Sequence, residues 1–203
     1  MTETMNRVKI GVLALQGAVS EHIRSLEQAG AEAVAVKKTQ QLSELDGLVI
    51  PGGESTTIGK LMQKYGFIEQ IREFSEAGKP IFGTCAGLIV LAKEIEGQEQ
   101  PHLGLMDITV TRNAFGRQKE SFEIDLPVVG IEQPIRAVFI RAPLIREIGA
   151  DVEVLSVYNG EMVTAREGHL LVSSFHPELT DDYRLHEYFT QMVRQSKTGE
   201  SKG

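Results

Sequence analysis

The stretch Pro80-Ile81-Phe82-Gly83-Thr84-Cys85-Ala86-Gly87 carries more information than any other in this chain. A short apolar run leads straight into a Gly-x-nucleophile-x-Gly pattern, the mark of a sharp strand-to-helix turn. The glycines permit the tight turn, which lifts the central side chain out of the fold. The turn also aims the backbone N–H of Ala86 at whatever that side chain attacks. Cys85 is the only cysteine among 203 residues. It therefore makes no internal disulfide and belongs to no multi-cysteine metal site. A cysteine taken alone is most often a small buried apolar residue. The preceding strand and the two glycines favour a nucleophile, its thiolate stabilised by the start of the next helix.

Upstream of this turn, strands and helices alternate. Residues 8–15 are almost continuously apolar, as a strand buried on both faces of a parallel sheet would be, and they end at Gln16-Gly17. Val19, Ile23 and Leu26 mark one face of a helix closed by Gly30. Residues 33–36 and 48–50 read as strands, and the second runs into Pro51-Gly52-Gly53-Glu54-Ser55. Helical patterns follow at 58–62 and 68–74, with Gly66 and Gly78 as stops. Residues 88–95 read as the helix after Cys85.

Downstream the character changes. Residues 108–111, 122–126, 135–140, 152–157, 162–165 and 170–175 read as short strands with few helices between them, some antiparallel and added at one edge. A last helix carries Leu185, Tyr188, Phe189, Met192 and Val193 on one stripe. The pattern predicts an α/β fold: a doubly wound, mostly parallel sheet with helices on both faces and extra antiparallel strands in the C-terminal half. No linker interrupts it, so residues 1–203 read as a single domain, with frayed tails at 1–6 and 195–203.

Three motifs then fall at strand ends: Gly52-Gly53, Cys85 and His176-Pro177-Glu178. Ligands of open parallel sheets bind outside the carboxyl ends of the strands. Proline biases His176 towards extended backbone, in which side chains two apart point the same way. Glu178 then orients His176, and the other ring nitrogen serves Cys85. Gly52-Gly53 brings backbone N–H groups close to a developing oxyanion, with Gly53 and Ala86 as its two donors. No Gly-Lys-Ser/Thr follows, which argues against a phosphate loop. His22, His102, His169 and His186 have no comparable partner and read as solvated or structural.

Composition narrows the function classes. A net charge of −7 disfavours nucleic-acid binding, although Arg112, Arg117 and Lys119 cluster locally. No apolar run approaches the ~20 residues that span a bilayer, and residues 1–7 hold no signal-peptide core. A cytoplasmic location is the simple reading. No histidine pair or carboxylate cluster has metal-ligand spacing, so no metal and no cofactor is expected.

These residues resemble the triad-type (class I) glutamine amidotransferases, with a flavodoxin-like fold. Within that family the chain is most similar to the vitamin B6 branch. The resemblance is carried by Gly83-Thr84-Cys85-Ala86-Gly87, His176-Pro177-Glu178, residues 11–17, Pro51-Gly52-Gly53-Glu54-Ser55-Thr56-Thr57, residues 112–118 and Phe139-Ile140-Arg141-Ala142-Pro143. It implies a glutaminase that splits L-glutamine into L-glutamate and ammonia through a thioester on Cys85. The ammonia would go to a separate synthase subunit that makes pyridoxal 5′-phosphate, a product there and not a cofactor here. The partner is expected to be another polypeptide, since 203 residues are too few for both activities. It should activate the glutaminase by rearranging the Gly52-Gly53 peptide. Glutamine contacts are implied for Gly53, Glu54, Ser55, Arg112, Ile140 and Arg141, with ion pairing as the alternative for the two arginines. Residues 112–118 separate this reading from its nearest rival, a glutaminase subunit of another amidotransferase.

Overall fold

The computed structural model describes residues 7–112 and 121–199. Residues 113–118 of the resembling segment, with Arg117 and Lys119, lie outside the described residues.

The chain opens with β1 (Lys9–Leu13), α1 (Val19–Gln28), β2 (Glu32–Val36) and β3 (Gly47–Ile50). Two helices follow, α2 (Ser55–Lys64) and α3 (Phe67–Glu76), then β4 (Ile81–Thr84) and α4 (Ala86–Leu91). Next come β5 (Ala92–Ile95), β6 (Met106–Thr111), β7 (Ser121–Leu126), β8 (Ile135–Ile140) and β9 (Leu144–Ile148). β10 (Glu153–Tyr158), β11 (Glu161–Glu167), β12 (Leu170–Ser173) and α5 (Arg184–Thr198) complete the order.

Strands β2-β1-β3-β4-β12 pair in parallel, the doubly wound arrangement expected from the first half of the chain. The order reverses beside β1, which opens a crevice at the carboxyl ends of β1 and β3. Successive strand residues face opposite sides. Leu48, Ile50, Ile81 and Val172 pack under α2, α3 and α4. Ile10, Val12, Val49, Phe82 and Leu171 pack under α1 and α5. Each residue belongs to a fully or almost fully buried layer, so both faces of the sheet are covered.

Beyond β12 the sheet turns antiparallel through β11 and β9 to β6, with β10 on the free side of β11. Four details differ from the sequence reading. The helix expected over 88–95 stops at Leu91, and Ala92–Ile95 leaves as an edge strand parallel to β6. Here pairing with a neighbouring strand outweighs helical spacing. β7 and β8 do not join the main sheet but form their own antiparallel ribbon. β9 has no counterpart in the sequence reading. The last helix also runs to Thr198, taking in residues 195–198 of the expected tail, and closes on left-handed Gly199.

Candidate functional site

Cys85 stands between the last residue of β4 and the first of α4, with φ 52° and ψ −106°. That is an uncommon backbone for a residue with a side chain. Its surroundings hold it there. Its N–H donates to the Ser173 carbonyl at 2.8 Å, and its own carbonyl accepts from the N–H of Leu88 at 3.1 Å. The flanking glycines are required by space. A Cβ on Gly83 would sit 2.5 Å from the Gly87 carbonyl oxygen, and one on Gly87 would run into the Ile50 carbonyl. The turn therefore presses against β3 and its own helix with no room for a methyl group.

His176 follows β12 across Ser174 and Phe175. Its N–H donates to the Val138 carbonyl of β8 at 2.8 Å, so the separate ribbon fixes where the histidine stands. The ring donates from Nδ1 to Oε1 of Glu178 at 2.6 Å. The sequence reading reached this contact through extended backbone. The chain makes it with a one-turn 3-10 segment over Pro177–Leu179 instead. Proline is well suited to the first position of such a turn, and the turn folds Glu178 back beneath the ring. Glu178 is buried, with 5 % of its surface exposed.

Burial alone would drive the proton off His176. A hydrogen bond to Cys85 and the bond and negative charge of Glu178 outweigh it, and hold the ring's pKa up at about 10. A basic imidazole between a thiol and a carboxylate is the arrangement of a nucleophile, its base and the group that orients the base.

Gly52 forms one wall of this group. A Cβ there would fall 2.6 Å from Cε1 of His176 and 3.4 Å from Cβ of Cys85. Gln16, three residues beyond β1, accepts the N–H of Glu54 on Oε1 at 2.7 Å and so ties the loop after β1 to the loop after β3. Ala86 opens α4, where backbone N–H groups have no carbonyl one turn behind them.

The remaining residues fall on two sides. The carbonyl of Ile140 is 4.0 Å from Cys85 Sγ, and Arg141 turns the chain out of β8 with φ 44°. On the other side, Glu54 caps α2. Its carboxylate accepts the N–H of Thr56 at 3.1 Å and both the N–H and the hydroxyl of Thr57 at 2.6 Å. These bonds, the Thr57 hydroxyl foremost, lower its pKa to about 2. The carboxylate is thus engaged with its own helix. Ser55 is buried at the first turn. Arg112 donates to the Thr56 hydroxyl and to Gln98 Oε1.

The sequence reading missed what lies behind Glu178. His22 and His186 are neither solvated nor isolated. Both are fully buried, and they bond to each other at 2.9 Å. A signal was available: His22 falls on the apolar stripe of Val19, Ile23 and Leu26, and His186 on that of Phe189 and Val193.

A solved glutamine amidotransferase has this fold. It superposes with a TM-score of 0.87 at 53 % identity, over 91 % of this chain and 98 % of the other. The chain belongs to the SNO glutamine amidotransferase family, whose model matches residues 12–195. It is 68 % identical to the pyridoxal 5′-phosphate synthase subunit PdxT of Niallia circulans, over 94 % of this chain and the whole of that protein. It is 64 % identical to the PdxT of Geobacillus sp. (strain WCH70), over 94 % of this chain and 99 % of that one.

Proposed function

We propose that this chain is the glutaminase subunit of a pyridoxal 5′-phosphate synthase. It hydrolyses L-glutamine to L-glutamate and ammonia and passes the ammonia to a separate synthase subunit. The observation that carries the chemistry is the Cys85 turn facing a His176 whose Nδ1 is held 2.6 Å from Glu178. The likeness to relatives named as synthase subunits supports the destination.

His176 takes the proton of Cys85, and the sulfur attacks the side-chain amide carbon of glutamine. The carbonyl becomes a tetrahedral oxyanion, held by the backbone N–H groups of Gly53 and Ala86. His176 returns its proton to the amide nitrogen, the C–N bond breaks, and ammonia leaves. A γ-glutamyl thioester remains. His176 then deprotonates a water that attacks the thioester, releasing glutamate and the thiol. Glu178 keeps the ring oriented and offsets its positive charge. Gly53, Ser55, the backbone of Glu54, Arg112, Ile140 and Arg141 surround the amino-acid end of the substrate. An arginine suits the α-carboxylate.

The reaction is cytoplasmic. Among the described residues no helix is long and apolar enough to cross a membrane. The synthase subunit docks at the mouth of the site, keeping ammonia out of bulk water.

The test is release of glutamate and ammonia from L-glutamine, with and without the synthase subunit, with Cys85→Ala as control. The expected result is slow turnover alone, faster turnover with the synthase, and none in the variant. Turnover indifferent to the synthase reassigns the acceptor, and full turnover in Cys85→Ala overturns the mechanism.

A further inference from the structure

Glu178 has two carboxylate oxygens, and the triad uses one. Oε1 accepts from His176, whereas Oε2 is buried with no hydrogen-bond partner among the described residues. A buried carboxylate with one bare oxygen is poorly compensated. Nε2 of His22 lies 3.5 Å from that oxygen, and the same nitrogen lies 3.1 Å from the Thr84 hydroxyl. Nδ1 of His22 faces Nε2 of His186 at 2.9 Å, and Nδ1 of His186 is buried without a partner among the described residues.

These contacts fix where the protons sit. A neutral imidazole has one N–H and one bare nitrogen. If His186 carried its proton on Nδ1, a buried donor would have no acceptor, the more costly of its two choices. Its proton therefore lies on Nε2 and is donated to Nδ1 of His22. His22 must then carry its own proton on Nε2, facing Thr84 and Glu178. Both rings stay neutral. Burial lowers the pKa of His186 to about 3. Burial, followed by the nearness of His186 and His176, lowers that of His22 as well.

We infer that His22 and His186 are a positioning pair for the glutaminase reaction: His186 locks His22 as its Nε2–H tautomer, and His22 turns that N–H towards the second oxygen of Glu178. The inference rests on the reading of Cys85, His176 and Glu178 as the triad. Neither histidine touches the thiol. Their effect passes through the carboxylate, which they keep turned to His176. The groups facing His22 are Glu178 and His176 at the end of β12, Thr84 at the end of β4, and His186 of α5. Without the His22 donor the carboxylate is free to turn away from His176 and holds the imidazolium less firmly.

Two amide isosteres separate positioning from mere packing. Glutamine places an N–H near the Nε2 position of histidine, and asparagine places one near Nδ1. In the complex with the synthase subunit, His22→Asn and His22→Phe should lower kcat by roughly 10- to 100-fold. KM should stay within about twofold. The alkaline limb of the pH–rate profile should move to lower pH, because His176 then loses its proton earlier. His22→Gln should regain most of the rate and return the limb towards its wild-type position.

The wild-type protein offers a second readout that needs no variant to fold. Ring-nitrogen NMR should show His22 neutral and protonated on Nε2 from about pH 6 to 9. A His22 proton on Nδ1, or a folded His22→Phe with unchanged kcat and pH profile, overturns the inference. Activity in Cys85→Ala would instead sink the triad reading, whatever the tautomer of His22.

Discussion

On one side of the Glu178 carboxylate stand His176 and Cys85, each at the carboxyl end of a sheet strand. On the other stand His22 and His186, each on the buried face of a helix. The first pair comes from short motifs in which a turn residue and its chemistry lie side by side in sequence. The second is separated by 164 residues and meets only because α1 and α5 pack on the same face of the sheet. The front of the site thus depends on backbone shape, and a single methyl group can upset it. The back depends on the packing of whole helices.

The largest effects should come from the front. Cys85→Ala should lower kcat by about 10^4-fold or more without altering the fold, measured as glutamate release beside a thermal melt. His176→Asn should come close to it. Glu178→Gln should be milder, because the residue orients the base and takes no proton. A Cys85→Ala protein that melts several degrees lower would mean that the thiol also supports the turn, and the front would then resemble the back.

Two glycine substitutions split the front into structure and chemistry. Gly87→Ala puts a methyl group into the Ile50 backbone, which cannot swing aside. It should cost about 3 kcal/mol or more in denaturant unfolding. Gly52→Ala meets instead the His176 ring, which can turn. It should leave stability almost intact and lower kcat by roughly 100-fold, since a small displacement of the base is enough. Equal stability losses in both variants would break the distinction.

A smaller effect is a pH dependence of stability. The pKa of His176 is raised from 6.5 to about 10. Its protonated form therefore favours the folded state, fully so below about pH 6.5, and that contribution fades as pH rises through about 10. Thermal melts from pH 6 to 11 should show a loss near the upper end. The loss should shrink in Cys85→Ala and in Glu178→Gln, which each remove a partner of the ring. A pH profile identical in all three proteins would mean that the ring is not charged as the geometry requires.

How much of this was legible in sequence follows from the same contrast. The strands on either side of Cys85 announced themselves because a strand buried on both faces is continuously apolar, and the turns after them need particular residues. β9 (Leu-Ile-Arg-Glu-Ile) gave no such signal: it is short, half polar, and defined by its partners β6 and β11. The stretch 88–95 carried a helical spacing, yet its second half pairs with β6. His22 and His186 lay on apolar stripes, but their meeting is a property of the packed fold. A triad is a local statement that the chain makes in a few residues, whereas the support behind it is a tertiary one.

Glu54 gives the smallest effect and the sharpest test of where the local statement ends. By resemblance it belongs to the glutamine-binding loop. In the structure its carboxylate caps α2 through Thr56 and Thr57. Its pKa, lowered to about 2, ties a stabilising contribution to the ionised form. That contribution is present above the ordinary value of 4.5 and is lost as pH falls towards 2. Glu54→Ala should therefore lower stability by about 1 kcal/mol, the usual worth of a helix cap. Glu54→Asp should recover part of that, since aspartate also caps helices well. If the carboxylate bound the substrate instead, both variants would raise KM several-fold and leave the melt unchanged. A loss of stability with KM nearly constant would place Glu54 among the groups that shape the front of the site from within its own loop, with only its backbone facing glutamine.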